Sequence, residues 1–459
     1  MVVAEAGFEE LLDRVAAVDV AKASGVVCTR LPGEGGSGRK VTKTWEVAAT
    51  TGAIIELGDH LRCQGVERVV VESTSDYWRP FVYLLQAAGL TVWLVNAREV
   101  KNVPGRPKTD KLDAVWLAKL NERGMLRPSF VPPVEIRRLR DYTRLRSDLT
   151  AERTRHKQRV EKLLEDALIK VSTVTSDLFG VSGTEIMKAL IAGQRDPVQL
   201  AELAKGRLRI KRAALVEALE GRFDDHHAEI AQMLIDQIEG LDIQIDRLTT
   251  RIDQLITAIP PGQIPPGQIP PGLSRPGSLG SSTISGDAVA PVDRSGPLPP
   301  LERLAEITGM SVRRAQVVIA EIGLDMAQFP TPKQLVAWAK LAPQAIQSGP
   351  RSRTGPTGKG NPYLKAVLGE AAATASRTST FLGERYRRLV KRRGKLKALV
   401  AVARSILTII WHLLADPYAR YCDLGQGYYD TRIDKNRKIR NHVRQLEGLG
   451  LHVTITATA

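Results

Sequence analysis

Short apolar runs separated by amphipathic stretches fill the first quarter of the chain. Residues 15–20, 69–74 and 91–96 are mostly apolar, which is typical of buried strands in a covered sheet. Residues 26–30 and 44–48 follow the first run with turn residues between them, so the first three strands are predicted to form an antiparallel meander. The stretches between the later runs have helical spacing, and the predicted order of elements is βββαβαβα. A mixed sheet flanked by helices in this order is the ribonuclease-H-like fold.

Carboxylates stand where two of these strands end. Asp19 ends the first apolar run and Glu72 ends the fourth strand, although an unpaired charge at such a position is costly. A helix that begins near residue 108 carries Asp110 and Asp113, whose spacing of three puts both on one face. Four converging carboxylates repel one another unless a hard cation binds among them, and an all-oxygen site suits Mg²⁺ or Mn²⁺. The pattern predicts a metal-dependent enzyme acting on phosphodiesters, with ordinary helix-capping and turn acids as the alternative at each position.

Two long helical stretches follow. Residues 134–168 are rich in Arg and Leu, which is typical either of a solvated face or of a helix that contacts nucleic acid. Residues 234–259 carry Leu or Ile in steps of four and three, and this spacing predicts a coiled coil. The partner is open: either the 134–168 helix of the same chain or another subunit.

A low-complexity segment separates these helices from the C-terminal part. Residues 259–263 read Ile-Pro-Pro-Gly-Gln, this unit recurs, and the composition stays rich in Pro, Gly and Ser to residue 300. Such a segment lacks the apolar content to order itself, so a flexible linker is predicted.

Charge is distributed unevenly along the 459 residues. The formal net charge is +16, and residues 341–459 contain 21 Lys and Arg against 7 Asp and Glu, so nearly all of the excess lies in the last quarter. A polyanionic partner is the natural expectation, with a solvated basic surface as the alternative. Three widely spaced cysteines form neither a disulfide framework nor a zinc motif.

No membrane association is predicted. No apolar run approaches the roughly 18–20 residues of a membrane helix, and the longest candidate, residues 398–415, contains Arg404 and His412. The N-terminus has no basic segment followed by an apolar one, so no signal peptide is indicated. We expect a soluble cytoplasmic protein.

The C-terminal part contains one hydroxyl-rich basic loop. Residues 347–355 read Gln-Ser-Gly-Pro-Arg-Ser-Arg-Thr-Gly, between a helix that ends at Pro343 and a helix predicted over residues 363–378. Gly358-Lys359-Gly360-Asn361-Pro362 closes the loop. A serine in such a loop is commonly only a turn residue.

Two blocks of the sequence resemble a known family. Val18-Asp19, Val71-Glu72-Ser73-Thr74 and the run from Lys108 to Ala114 resemble the DEDD motif of insertion-sequence transposases with a RuvC-like N-terminal domain, a group that includes the Piv-type DNA invertases. Trp338-Ala339-Lys340-Leu341-Ala342-Pro343, Gln347-Ser348-Gly349 and Gly360-Asn361 resemble the second block of that family. The long Pro/Gly insertion departs from its pattern.

The resemblance implies a fold and a domain order. It implies an α/β ribonuclease-H-like (RuvC-like) catalytic domain, long coiled-coil helices and a mostly α C-terminal transposase domain. The domains predicted on this basis are the RuvC-like domain (1–130), a helical and coiled-coil domain (131–259), the linker (260–300), the transposase domain with its serine loop (301–425) and a basic tail (426–459).

The resemblance also implies a reaction. Members of the family are site-specific recombinases in which four acids, here Asp19, Glu72, Asp110 and Asp113, bind Mg²⁺ or Mn²⁺. A serine, by position Ser348, attacks DNA and forms a covalent phosphoserine intermediate. A structured guide RNA pairs with the DNA, and the protein assembles as a homo-oligomer, a dimer or a tetramer.

Four cations near these positions are candidates for nucleic-acid binding: Lys108, Arg351, Arg353 and Lys359. Two other functions remain open from the sequence. One is a RuvC-like junction-resolving nuclease, which attacks with water, or a DNA invertase. The other is a non-catalytic nucleic-acid-binding protein whose acids hold no metal.

Overall fold

The fold is described from a computed structural model, which covers residues 12–33, 40–73, 75–96, 110–259, 289–290, 298–349, 351–431 and 435–455. These residues form two compact units that divide between Val131 and Pro132. Each unit has its own elements and its own hydrophobic core, and we take them in turn.

The first unit is a sheet with helices on both faces. Its elements are, in chain order, β1 (Val15–Val20), β2 (Ser24–Pro32), β3 (Lys40–Ala48), α1 (Thr51–Cys63), β4 (Arg68–Ser73), α2 (Trp78–Ala87), β5 (Val92–Asn96) and α3 (Asp110–Glu122). The strand order across the sheet is β3-β2-β1-β4-β5. The β1–β2 and β2–β3 pairs are antiparallel, while β1–β4 and β4–β5 are parallel.

The central strands are apolar because both faces of the sheet are covered. Val18 and Val71 pack with α1 and α2 on one face, and Ala17 and Val70 pack with α3 on the other. At Gly25 of β2 a Cβ atom would lie 2.8 Å from the Phe81 ring, so only glycine fits this close approach. The mixed α/β sheet predicted from the apolar runs is therefore observed, and it is consistent with a ribonuclease-H-like domain.

The second unit is mostly helical. Its helices are α4 (Val134–Asp166), α5 (Val171–Val174), α6 (Val181–Ile191), α7 (Pro197–Glu202), α8 (Arg212–Leu219), α9 (Asp225–Ala258), α10 (Pro300–Ala305), α11 (Val312–Ile322), α12 (Pro332–Trp338), α13 (Pro362–Ala375), α14 (Phe381–Arg393), α15 (Lys395–Ala415), α16 (Tyr428–Thr431) and α17 (Lys435–Glu447). Its short strands are β6 (Val289–Ala290), β7 (Ala345–Ser348), β8 (Arg351–Thr354) and β9 (Arg420–Tyr421).

The two longest helices, α4 and α9, pack against each other within the chain. Along α9, Ile238, Ile245 and Ile252 recur every seven residues and are buried, at 5%, 1% and 0% exposed. The leucines at 241, 248 and 255 recur at the same interval but are only half-buried. The long helix and its intrachain partner are thus observed, while coiled-coil pairing as such stays a prediction.

Two expectations need correction. The segment predicted as an unstructured linker contains β6, which pairs with β9 through Val289 with Tyr421 and Ala290 with Arg420. Residues 260–288 and 291–297 of that segment lie outside the described residues. The expected absence of a membrane-length apolar helix is also wrong, because α15 is 21 residues long and apolar enough to span a membrane by length and composition.

The apolar character of α15 has a different cause from lipid contact. It packs against α10, α12, α13 and α14, and 61% of its most apolar window is buried inside the protein. A helix surrounded by other helices is apolar on nearly all sides, as a membrane helix is. Arg404 and His412 interrupt the sequence without ending this buried helix.

Candidate active site

The two strand acids lie next to each other at one edge of the sheet. The parallel β1–β4 ladder pairs Val18 with Val71, and Asp19 and Glu72 are the next residue on each strand. Since side chains alternate between faces, both acids belong to the face of Ala17 and Val70, which is the face that α3 covers. Glu72 is 5% exposed and Asp19 is half-buried.

A buried polar clamp fixes the direction of α3 on this face. The Asn121 amide nitrogen donates to the backbone carbonyls of Ala16 and Arg68, at 3.1 Å each, and so joins the starts of β1 and β4. Arg68 Nε donates to Asn121 Oδ1 at 2.7 Å, and the Arg68 guanidinium stacks on the Trp93 ring at 3.8 Å. Both Asn121 and Arg68 are buried, and these hydrogen bonds provide their side chains with partners inside the protein.

A second contact supports the same orientation. Arg30 Nε on β2 forms an ion pair with Glu122 Oε2 at 2.6 Å, where both side chains are 16% exposed. The backbone carbonyl of Glu122 also accepts a hydrogen bond from Leu12 at 3.1 Å. The C-terminal end of α3 is therefore held at the beginnings of the central strands, and the helix runs antiparallel to β1 and β4.

This orientation brings the acids of α3 toward the strand acids. The eight residues from Asn121 back to Asp113 rise about 12 Å along the helix, and the three residues from Ala16 to Asp19 extend about 10 Å along β1. Asp113, which is half-buried, is thus level with the strand ends where Asp19 and Glu72 lie. Asp110 is the first residue of α3, and its side chain lies outside the described residues.

The donor chemistry at this edge fits a hard divalent cation. Asp19, Glu72 and Asp113 offer only carboxylate oxygens, the ligands that Mg²⁺ and Mn²⁺ prefer. In the part of the chain that the structure describes, no three acidic, histidine or cysteine side chains stand close enough to share one ion. The fourth predicted ligand, Asp110, is not among the side chains to which that statement applies.

The predicted serine loop is a two-stranded hairpin. β7 and β8 pair antiparallel from Ala345 with Thr354 to Ser348 with Arg351, and Gly349 in the turn has a φ of 58°. The positive φ explains why glycine follows the serine. Ser348 is thus the last strand residue before the turn, although its side chain lies outside the described residues. Arg351 and Arg353 alternate along β8 and are exposed.

The base of this hairpin is fixed to the helices around it. Gly355 N donates to Gln344 O at 2.6 Å, which closes the hairpin beyond its strands. Gly360 has a φ of 61°, and a Cβ atom there would lie 2.6 Å from Ala339 O at the end of α12. Asn361 then caps α13, since its Oδ1 accepts from Leu364 N at 3.1 Å. Lys359, also at the base, is exposed.

Glu321 at the end of α11 is the centre of a buried polar network that the sequence did not reveal. Its side chain is 0% exposed and accepts two hydrogen bonds from Arg144 of α4, at 2.7 Å and 2.8 Å. Arg140 lies 3.3 Å from the same carboxylate, and the Asn361 amide donates to Glu321 Oε2 at 2.5 Å. The hydrogen bond to Glu321 raises the pKa of Arg144. No local signal could have found this network, because Glu321 lies 177 positions from Arg144 and 181 positions from Arg140.

Several cations of α4 contact groups inside the protein, which their sequence did not predict. Arg146 is 5% exposed and donates to Gln316 Oε1 at 2.7 Å, and burial lowers its pKa to about 10. Arg153 pairs with Asp242 of α9, and Lys157 lies over the Phe179 ring at 4.7 Å. By contrast, Lys108, the other cation predicted to bind nucleic acid, lies outside the described residues.

A different basic cluster faces solvent at the turn between α14 and α15. Its cations are all exposed, and none of them forms an ion pair with any residue in the described ranges. We call it the basic turn, and it comprises Lys391, Arg392, Arg393, Lys395 and Lys397. Gly394, with a φ of 77°, breaks the helix there and lets α15 fold back along α14.

Two family models match the chain, one over the region of the strand acids and one over the region of the serine hairpin. The model DEDD_Tnp_IS110, described as a transposase, matches residues 16–169, which include the strand acids and α3. A model described as the transposase IS116/IS110/IS902 family matches residues 301–387, which include Glu321 and the serine hairpin. Together the matches cover just over half of the chain. No curated protein matches it.

Proposed function

Because the chain belongs to the IS110 family of insertion-sequence transposases, which are enzymes that act on DNA in transposition and recombination, we propose that it cuts and rejoins DNA through a covalent serine intermediate. In this proposal Asp19, Glu72, Asp110 and Asp113 hold Mg²⁺ or Mn²⁺, and Ser348 is the nucleophile. The observation that carries it is the edge of the sheet at which Asp19 and Glu72 are neighbours and toward which α3 carries Asp113.

The carboxylates at this edge favour a cation for an electrostatic reason. Glu72 is buried next to Asp19, and a bound cation would lower the repulsion between these two neighbouring carboxylates. A divalent cation, when bound, supplies the charge that stabilises a phosphodiester in its five-coordinate transition state. The residues of the chain orient and hold that charge, and the α3 clamp at Asn121 keeps the helix acids in line with the strand acids.

Ser348 would convert one phosphodiester into another. As its oxygen bonds to phosphorus, its proton passes to a base, and the bond from phosphorus to one deoxyribose oxygen breaks. Rejoining is the reverse, with a DNA hydroxyl displacing the serine oxygen, so the bond energy is conserved and no ATP is required. The sequence contains no Gly-rich phosphate loop followed by Lys and Ser or Thr, which agrees with this.

Exposed cations support contact with the DNA backbone. Arg351 and Arg353 follow Ser348 on the hairpin, and Lys359 lies at its base. We propose that Lys108, just before α3 in the sequence, also binds the DNA backbone. The basic turn offers five further charges, which fits the C-terminal excess of cations. These positions would bind phosphates, so they would contribute affinity more than sequence specificity.

The finer organisation is part of the same proposal. We propose that a structured RNA encoded beside the gene guides the protein, that subunits pair through the half-buried leucine stripe of α9 into a dimer or tetramer, and that the protein is cytoplasmic. The domain bounds 1–130, 131–259, 260–300, 301–425 and 426–459 remain predictions. The structure divides into two compact units between Val131 and Pro132. This division does not test the bounds of the functional domains.

A covalent-adduct assay tests the reaction. The full-length protein is incubated with labelled donor and target DNA of its element, the RNA flanking the gene and Mg²⁺, and the products are separated under denaturing conditions. We expect a protein–DNA adduct that disappears in Ser348→Ala, in Asp19→Asn and when EDTA replaces Mg²⁺. Ser352→Ala is the matched control, because it removes a hydroxyl from the facing strand of the same hairpin and should leave the adduct intact.

The other outcomes identify the alternatives. Free cleaved ends without an adduct, unaffected by Ser348→Ala, would indicate a RuvC-like hydrolytic nuclease. An adduct that leads only to inversion between sites in one DNA molecule would indicate a DNA invertase. DNA binding without any cleavage, unchanged by EDTA, would indicate a non-catalytic binding protein.

A further inference from the structure

The strongest unexplained feature of the second unit is the buried carboxylate of Glu321. It has no exposed surface, and its partners come from two other elements: Arg140 and Arg144 of α4, and Asn361 at the start of α13. Arg140 also donates to the backbone carbonyls of Ala320 and Glu321, at 3.0 Å and 2.8 Å. One carboxylate therefore joins α4, α11 and α13.

Asn361 performs two functions with one side chain. Its oxygen caps α13, and its nitrogen donates to Glu321. Capping alone would be served equally well by Asp or Ser, whose oxygens accept the same backbone hydrogen bond. Only the amide nitrogen reaches Glu321 as a donor, so the bond to Glu321 is the reason for an amide at this position.

The network holds the base of the serine hairpin. Asn361 follows Gly360, which is packed on Ala339, and the hairpin itself is closed by the Gly355–Gln344 hydrogen bond. A buried ion pair seldom stabilises a fold more than well-packed apolar residues would, but it fixes the relative position of the elements that it joins. This property matters where a nucleophile must be held to within a fraction of an ångström.

We propose that Glu321 and Asn361 are positioning residues for the serine reaction, which fix the base of the hairpin to α4 and thereby the location of Ser348. The inference rests on the proposed role of Ser348 as nucleophile. Neither residue touches the DNA or the reacting atoms in this proposal. Loss of the network should therefore slow the formation of the phosphoserine bond while leaving the binding of DNA nearly unchanged.

Asn361→Asp is the decisive substitution. It keeps an oxygen that caps α13 but replaces the donor to Glu321 with a second carboxylate oxygen, which repels the first. At saturating protein, we expect the single-turnover rate of adduct formation to fall by about tenfold or more, because small displacements of a nucleophile have large effects on rate. DNA affinity should stay within about twofold, since the exposed cations of the hairpin keep their charge and the basic turn is not part of the network.

A reciprocal exchange provides the rescue. In the double variant Glu321→Gln with Asn361→Asp, the amide and the carboxylate trade places, so the hydrogen bond is restored with the donor reversed and the net charge is that of the wild type. We expect the rate to exceed that of Asn361→Asp without reaching the wild-type rate, because Glu321→Gln restores the hydrogen bond to residue 361 but not the bidentate ion pair with Arg144. Asp196→Asn at the cap of α7 is the control for exchanging Asp and Asn at a helix cap.

The outcomes separate the inference from the function on which it rests. A wild-type adduct that depends on Ser348, together with an unaffected rate in Asn361→Asp, would overturn the positioning role and leave the serine mechanism in place. A double variant no faster than the single ones would also overturn it, because the two residues would then act independently. If the wild type forms no Ser348-dependent adduct, the proposed function fails and the positioning role fails with it.

Discussion

Two basic regions of the second unit look alike in sequence and differ in structure. The helix α4 and the basic turn are both dense in Lys and Arg. On α4, Arg140 and Arg144 bind a buried carboxylate, and Arg146 is itself buried. At the basic turn, every cation is exposed and none pairs with an acid among the described residues.

The difference arises from which acids fold next to each region. α4 packs against α9 and α11, and these helices bring Asp242 and Glu321 to its arginines. Among the described residues, no acid pairs with the basic turn, because Glu384, the acid within α14, is already paired with Arg387 at 2.9 Å. Cation density therefore identifies a surface for a polyanion only where the fold provides no internal counter-charge.

The largest effect expected from this comparison is on stability. Arg144→Ala removes the bidentate partner of a carboxylate that has no exposed surface, and Arg140 compensates only in part. We expect the free energy of unfolding to fall by about 3 kcal/mol, which is the scale for breaking a buried ion pair. Urea unfolding followed by circular dichroism measures it.

Arg138→Ala is the matched control on the same helix, because Arg138 is exposed. Its effect should stay within about 0.5 kcal/mol. Equal effects of the two substitutions would contradict the distinction between internal and surface cations on α4.

The next effect is on DNA affinity, with stability unchanged. Replacing all five cations of the basic turn by Gln removes charges that contact nothing inside the protein among the described residues. We expect DNA to bind about 10- to 100-fold more weakly at low salt, with a shallower dependence of log Kd on log salt, because each phosphate contact contributes about 0.9 to that slope. Fluorescence anisotropy with a labelled duplex over a salt series measures both quantities.

A control with the same loss of charge separates a local contact from the general field. It replaces five exposed, scattered cations by Gln, namely Lys162, Lys188, Lys205, Arg207 and Lys333. A similar drop in affinity in this variant would show that only net charge matters. A selective loss for structured RNA, with DNA affinity retained, would assign the basic turn to RNA and contradict its role in DNA binding.

The pattern of apolar residues in the sequence predicts most of the strands of the first unit. Strands β1, β4 and β5 are predicted from runs of apolar residues because burial on both faces leaves a local signature in the sequence. Asp19 and Glu72 are conspicuous for the same reason, since they interrupt such runs at strand ends. The register that makes them neighbours and the Asn121 clamp that orients α3 are long-range features, and no local pattern encodes them.

The second unit was harder to predict because its decisive contacts join distant segments. The serine loop is short and polar, so its four-residue strands leave no apolar alternation to detect. β6 is two residues long and depends on β9, which lies more than a hundred positions away. The prediction for α15 failed in the opposite sense, because Arg404 and His412 suggest an interrupted apolar run where the structure has one continuous, largely buried helix.

The smallest expected effect concerns an ion pair that is less buried than the Glu321 network and less exposed than the basic turn. Arg153 of α4 pairs with Asp242 of α9, and the two side chains are 24% and 43% exposed. Because water screens such a pair, Arg153→Ala should lower the free energy of unfolding by less than about 1 kcal/mol. A double-mutant cycle with Asp242→Ala, measured at low and high salt, isolates the interaction between the two side chains. We expect a coupling free energy of about 0.5 kcal/mol that decreases as salt increases. A large coupling that does not depend on salt would instead group Arg153 with the buried arginines. The boundary between internal and surface cations on α4 would then lie further along the helix.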